Sequence, residues 1–229
     1  MNLIIFDIDG TIIDSVRTDD ECFIRSFLDL FNINLSGADW NNFEHVTDSG
    51  LTSEIFNIYL GRSPMEQELR QLKAHFRNLI NQRKNEFVEI RGAKNTMAYL
   101  IENPEFSIAF ATGGWRETAR LKLSTVGFEP GKLILTSAND HFDRSVITKM
   151  AIDKALKKEN LKEFDTITYI GDGIWDLKTS QQLGINFIGI DYHNTRKLTL
   201  AGAAYVMNSL NDPEQLIRWA TTQQATNGI

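Results

Sequence analysis

The sequence predicts an α/β protein, a doubly wound parallel sheet with an α-helical cap inserted near its beginning. Three observations lead there. Short apolar runs end repeatedly in glycine or acidic residues, helical patterns separate these runs, and one long interval, residues 16–89, breaks the alternation with amphipathic segments. Strands that alternate with helices favour a parallel sheet joined by right-handed crossovers. The expected division is an α/β core of residues 1–15 and 90–229, with the helical cap at 16–89.

The first strand is the apolar run at 3–6, closed by the turn-forming pair Asp9 and Gly10. In the cap, Phe23, Phe27, Leu28, Leu30 and Phe31 are spaced for one buried helix face. Gly61 to Pro64 divides its two halves, with Pro64 suited to a helix start and 65–84 a long helical continuation. Arg91 and Gly92 return the chain to the core. There the strands expected at 107–111, 133–135, 167–170 and 186–190 alternate with helices at 96–102, 115–126, 146–158 and 176–183. The tail at 221–229 is expected to fray. Ligands of open parallel sheets bind beyond the carboxyl ends of the strands, so the polar strand ends should share one site.

Composition narrows the function. A hydrophobic content of 42% and a charged content of 24% describe an ordinary globular chain. A net charge of -6 argues against a nucleic-acid partner, which would call for a basic footprint, and favours small solutes. Cys22 is the sole cysteine, so no internal disulfide forms; it reads as a small core hydrophobe and fits a reducing compartment. Asp7 and Asp9 interrupt the apolar start, which argues against a signal peptide. No apolar stretch approaches the roughly 20 residues needed to span a bilayer. A cytoplasmic, membrane-independent protein is expected, with its oligomeric state open.

The chemistry gathers at two strand ends. Asp7 and Asp9, one residue apart, follow the first strand, and adjacent anions there call for a cation or a shared proton. Asp172 and Asp176 follow the strand at 167–170 in the segment Gly171-Asp172-Gly173-Ile174-Trp175-Asp176. Four acids at two strand ends make a plausible oxygen cage for a hard cation.

With these motifs, the sequence resembles the phosphatase branch of the haloacid dehalogenase superfamily, in the manner of phosphoglycolate phosphatases with a helical cap. Asp7-Ile8-Asp9-Gly10-Thr11 matches the first motif of that family, Thr112 the second, and Gly171-Asp172 through Asp176 the fourth. The resemblance implies a Mg²⁺-dependent phosphatase for a small phosphorylated metabolite, working through an aspartyl-phosphate. Asp7 would be the nucleophile and Asp9 the general acid/base. The metal would meet Asp7, the Asp9 backbone carbonyl, Asp172 and, directly or through water, Asp176. Thr112 and the Gly113 amide would bind phosphate. Asp9 also points to ester chemistry, since the dehalogenases of the superfamily lack that second aspartate.

The third motif departs from the pattern, because its usual lysine segment is absent. Arg144, at the expected start of its helix, is preferred as the basic phosphate ligand, with Lys149 as the alternative. His45, His75, His141 and His193 show no metal-ligand spacing. His45 stands in a cap loop that would face substrate, and Trp115 would either wall the pocket or pack a helix start. Arg62, Arg77 and Arg83 read as solvated cap charges. Lys73 and Lys84 offer no singled-out Schiff-base lysine for a phosphonate hydrolase. A phosphomutase and a non-catalytic binding module on the same fold remain the alternatives.

Overall fold

A computed structural model describes residues 1–129, 131 and 133–222. The chain begins with strand β1, Asn2–Phe6, and a two-residue strand β2, Ile13–Asp14. Helices α1 (Val16–Phe31), α2 (Asp48–Leu60) and α3 (Glu66–Gln82) follow, and β3 (Val88–Glu89) closes the interval. Next come α4 (Ala93–Glu102), β4 (Phe106–Ala111), α5 (Arg116–Thr125), β5 (Ile134–Thr136) and α6 (Arg144–Glu159). The last third holds β6 (Ile167–Gly171), α7 (Ile174–Leu183), β7 (Asn186–Ile190), α8 (Lys197–Leu200), β8 (Val206–Met207) and α9 (Pro213–Thr221).

Six strands form one sheet in the order β5-β4-β1-β6-β7-β8, and every neighbouring pair is parallel. The strand order reverses about β1, so the crevice expected at a topological switch point lies at its carboxyl end. β1 reads as a continuous apolar run because both its faces are covered. Leu3 and Ile5 pack in one cluster with Ile147, Ala151 and Leu177 of α6 and α7. Ile4 and Phe6 join the opposite cluster with Met97, Ala119 and Leu216 of α4, α5 and α9. Helices on both faces make the sheet doubly wound.

The interval that the sequence assigns to a cap lies between β2 and β3, which pair antiparallel, Ile13 with Glu89 and Asp14 with Val88. Phe23 and Phe27 are buried, and Phe31 packs at the margin of the same cluster. Leu28 and Leu30 instead are 38% and 37% exposed. The spacing 23, 27, 31 follows one helical stripe, and the residues beside the last of these turn away from it. The α3 helix starts at Glu66, with the Met65 amide donating to Glu68 Oε2 at 2.8 Å, two residues beyond Pro64. The paired β2 and β3, the four-residue α8, the short β8, and α9 lie outside the sequence expectations. The β8 strand is two residues long and gives no period, whereas α9 opens with Asp212 accepting from the Gln215 amide and Pro213 at its first turn, a legible start. Of the tail expected to fray, residues 223–229 lie outside the described residues. Among the described residues no helix is long and apolar enough to cross a membrane.

Candidate active site

Asp7 follows β1 directly, and its amide donates to Ile170 of β6, which fixes the residue at the reversal point of the sheet. Thr112 follows β4, and Asp172 follows β6. Asp176 sits in the first turn of α7, where it accepts the Gly173 amide at 2.9 Å. A carboxylate is favoured at that helix end by the unpaired amides and the helix dipole. Asp7, Asp172 and Asp176 are all buried, and one ligand oxygen from each lies within 4.8 Å of the others.

Burial, followed by repulsion from Asp176, raises the Asp7 pKa well above the usual carboxylate range, against the pull of Arg144. Burial also raises Asp176, again opposed by Arg144, and lifts Asp172 to about 6 against the pull of Lys197. Three buried carboxylates that repel one another fit a hard divalent cation, whose charge would cancel the repulsion. The packing around them is close. A Cβ on Gly10 would fall 2.4 Å from the Asp172 carboxyl carbon, and Gly10 also has a φ of +75°. A side chain there would push into the carboxylate cluster and strain the turn.

Arg144 opens α6, directly after Asp143, whose side chain accepts from the Ser145 amide at 2.7 Å. Its guanidinium donates to Asp176 Oδ1 at 2.9 Å and to the Val46 carbonyl at 2.8 Å, and it approaches Asp7 Oδ1 at 3.5 Å. Its Nε has no hydrogen-bond partner among the described residues. Burial opposes the charge, but Asp176, Tyr169 and Asp7 outweigh that and hold it as a cation. Lys149 lies on the exposed face of α6. Gly113 stands against Arg144: a Cβ would meet Nη2 at 2.2 Å and the Val46 carbonyl at 3.0 Å.

A cleft with about 650 Å³ of open space covers these groups. Asp7, Asp9, Thr112, Gly113, Arg144 and Asp172 line it from the core, and Asp19, Asp20, Phe23, Trp40, Val46 and Asp48 from the cap interval. The segment at 46–49, which runs into the first turn of α2, is stitched to the core. The Asp48 amide donates to the Gly113 carbonyl at 2.8 Å, and its carboxylate accepts the Trp115 amide at 2.7 Å. Thr47 and Ser49 hydroxyls donate to the Phe142 and Ala138 carbonyls at 2.6 and 2.7 Å. Trp115 does not line the cleft. It is buried at the start of α5 with its indole N–H on Ser49 Oγ at 2.9 Å, the packing alternative of the two expected for it.

The histidines stand apart from the three converging carboxylates. His75 meets Asp29, His193 meets Asp14, and His45 and His141 pack on Phe142. Arg62 pairs with Glu68, and Arg83 with Glu21 and Glu86. Lys73 lies over the Trp115 ring, and Lys84 is exposed.

Sequence reasoning missed Lys122. Its side chain is wholly buried, and its ammonium lies 2.6 Å from both Asp9 and Asp19. Burial opposes this charge too, but Asp19 and Asp9 raise the pKa and keep it protonated. One signal was available. Lys122 falls three residues after Ala119 and four before Val126, both buried, so it occupies the apolar stripe of α5 where a lysine needs a partner. Asp19, Asp20 and Asp48 were likewise passed over, because aspartates at helix starts are ordinary.

The architecture recurs among solved structures. A hydrolase from Pseudomonas syringae superposes with a TM-score of 0.75 at 21% identity, covering 97% of this chain and 100% of its own. CbbY from Rhodobacter sphaeroides, solved in complex with phosphate, gives 0.71 at 14% identity over 92% of this chain and 95% of its own. A predicted phosphoglycolate phosphatase from Haemophilus somnus gives 0.65 at 15%, over 94% and 97%. At such identities the likeness is one of fold. No curated protein is significantly similar in sequence. The sequence profile described as haloacid dehalogenase-like hydrolase matches residues 4–190, an interval that contains every strand end of the cleft, and the chain belongs to that family.

Proposed function

We propose that this protein is a Mg²⁺-dependent phosphatase that hydrolyses a small phosphate monoester through an aspartyl-phosphate on Asp7. The observation that carries the reading is the convergence of Asp7 with Asp172 and Asp176 beside Arg144 at the strand reversal. An acidic triad alone would repel a phosphate; a bound cation and a guanidinium reverse that. A cytoplasmic setting belongs to the same reading, on the strength of a single buried cysteine.

Arg144 and the Thr112 and Gly113 groups hold the phosphate oxygens, with guanidinium suited to two of them at once. An Asp7 oxygen attacks phosphorus in line. The bond to the ester oxygen breaks, and Asp9 gives that oxygen a proton, so an alcohol leaves. Water then attacks the aspartyl-phosphate, Asp9 takes its proton, and the Asp7 carboxylate is restored with release of inorganic phosphate. Asp7, Asp172, the Asp9 carbonyl and, directly or through water, Asp176 would hold Mg²⁺, whose positive charge would offset carboxylate and phosphate repulsion. The segment at 46–49, tied to the core, covers one side of the reacting groups.

The test is hydrolysis of 4-nitrophenyl phosphate with and without Mg²⁺. Turnover should require the metal and fall at least about 10³-fold in Asp7→Asn, because the nucleophile is lost. Metal-independent turnover, or an Asp7→Asn variant as active as its parent, would overturn the reading. The tight seating of the 46–49 segment favours a phosphomutase as the second reading, since a mutase must keep water from its phosphoenzyme. Release of an isomeric sugar phosphate without free phosphate would identify it.

A further inference from the structure

Lys122 has no part in the steps above, and a fully buried lysine is costly unless its charge is paired, so its partners matter. It reaches from α5, in the core, to two carboxylates of different origin. Asp9 belongs to the loop after β1, and Asp19 to the first turn of α1 in the cap interval. The lysine ammonium lies 2.6 Å from both Asp9 oxygens, and Oδ1 also accepts the Ser15 hydroxyl at 2.5 Å. An ammonium astride both oxygens, with a hydroxyl on one of them, determines where the carboxylate lies. Asp9 and Asp48 both stand near Gly114, a Cβ on which would be 3.7 and 3.9 Å from their carboxylate oxygens. The ammonium therefore sits where the core, α1 and the start of α2 meet.

We propose that Lys122 is a positioning residue that orients the acid/base carboxylate of Asp9 and ties that orientation to the seating of cap helix α1 through Asp19. The inference rests on the acid/base reading of Asp9. A cap that lifts away from the core withdraws Asp19 from the lysine and loosens one of the two groups that hold Asp9. Proton delivery is then fully competent only beneath a seated cap, which protects the phosphoenzyme step from premature encounters with solvent.

The test uses the leaving group. Phenyl phosphate needs its departing oxygen protonated, whereas 2,4-dinitrophenyl phosphate leaves almost unaided, and kcat/KM reports only the steps up to the phosphoenzyme. If Lys122 acts through Asp9, Lys122→Met should lower kcat/KM about 10²-fold for phenyl phosphate and less than about threefold for the dinitrophenyl ester. Lys122→Arg, which keeps the charge and donors, should restore part of the loss. Adding Lys122→Met to Asp9→Asn should cost little more than Asp9→Asn alone.

Circular dichroism and thermal unfolding check that each variant is folded. Should Lys122→Met not fold, Asp19→Asn decides, since it leaves the ammonium with Asp9. A loss of about threefold to tenfold, again confined to poor leaving groups, supports the tie, and a uniform loss overturns it. If Asp9→Asn steepens the leaving-group dependence while Lys122→Met lowers all substrates equally, the role of Lys122 falls and the reading of Asp9 stands. If Asp9→Asn itself acts uniformly, the acid/base assignment falls and this inference with it.

Discussion

Two acidic groups share the cleft, and each contains a buried cation. On the floor, Asp7, Asp172 and Asp176 surround a point that Arg144 touches from one side, through Asp176 and at longer range Asp7. Toward the cap, Asp9 and Asp19 both contact Lys122, with Asp20 and Asp48 close by on the wall. On the floor the oxygens converge on a point that the guanidinium reaches only from the side. The second group has its cation already covalently supplied. Similar ingredients thus produce a seat that invites a metal in one place and an internally compensated clamp in the other, and the difference lies in where the basic side chain enters.

The sharpest way to break this comparison is to remove the floor's own cation. Arg144→Ala should lower kcat/KM on an aryl phosphate about 10²- to 10³-fold, the range seen when one preorganised donor is deleted, while Lys149→Ala should leave it within about twofold. A full-activity Arg144→Ala enzyme would move the phosphate ligand elsewhere.

The metal seat is tested without turnover. Mg²⁺ at about 100 times its Kd should stabilise the fold by about 2.7 kcal/mol, raising Tm by about 5–10 °C for a chain of this size. Asp172→Asn should abolish most of that rise. An unchanged rise in this variant would place the ion outside the triad.

The smallest effect belongs to the cap wall. Burial, with repulsion from Asp19, lifts the Asp20 carboxyl to about 7, and the Trp40 indole N–H on it at 3.0 Å only partly offsets this. A raised folded-state pKa means that its contribution is fully favourable below the unfolded value near 4 and is lost as pH rises through 7. Asp20→Asn keeps an acceptor for Trp40 and removes the charge. Its Tm should exceed that of the parent by about 2–4 °C at pH 8, and the gap should close as pH falls toward 5. A gap independent of pH would assign the effect to packing.

Much of this could be read from the chain because the floor is local. An apolar run covered on both faces, followed by an acid and a glycine, announces a strand end wherever it occurs, and Asp7 and Asp172 each carry that signature. Asp143 ahead of Arg144 announces a helix start in the same way, which placed the arginine correctly at the head of α6. The clamp is not local. Lys122 meets Asp9 and Asp19 across sequence separations of 113 and 103 residues, and nothing near any of them records the partnership. Leu28 and Leu30 misled for a related reason: apolar residues beside a stripe resemble members of it until the packing partner is known.

The paired strands Ile13–Asp14 and Val88–Glu89 have a further consequence. Because the chain leaves and re-enters the core at adjacent, hydrogen-bonded positions, everything between them is a cassette whose ends already lie side by side. A two-residue hairpin could close the gap without disturbing a strand of the main sheet. Such an excised protein would keep the strands that carry Asp7, Asp172 and Asp176, while losing Asp19, the Val46 carbonyl on Arg144 and the packing of Phe23 and Phe76 on Trp115. The geometry therefore lets the covering portion be exchanged or lengthened without rerouting the strands that carry Asp7, Asp172 and Asp176.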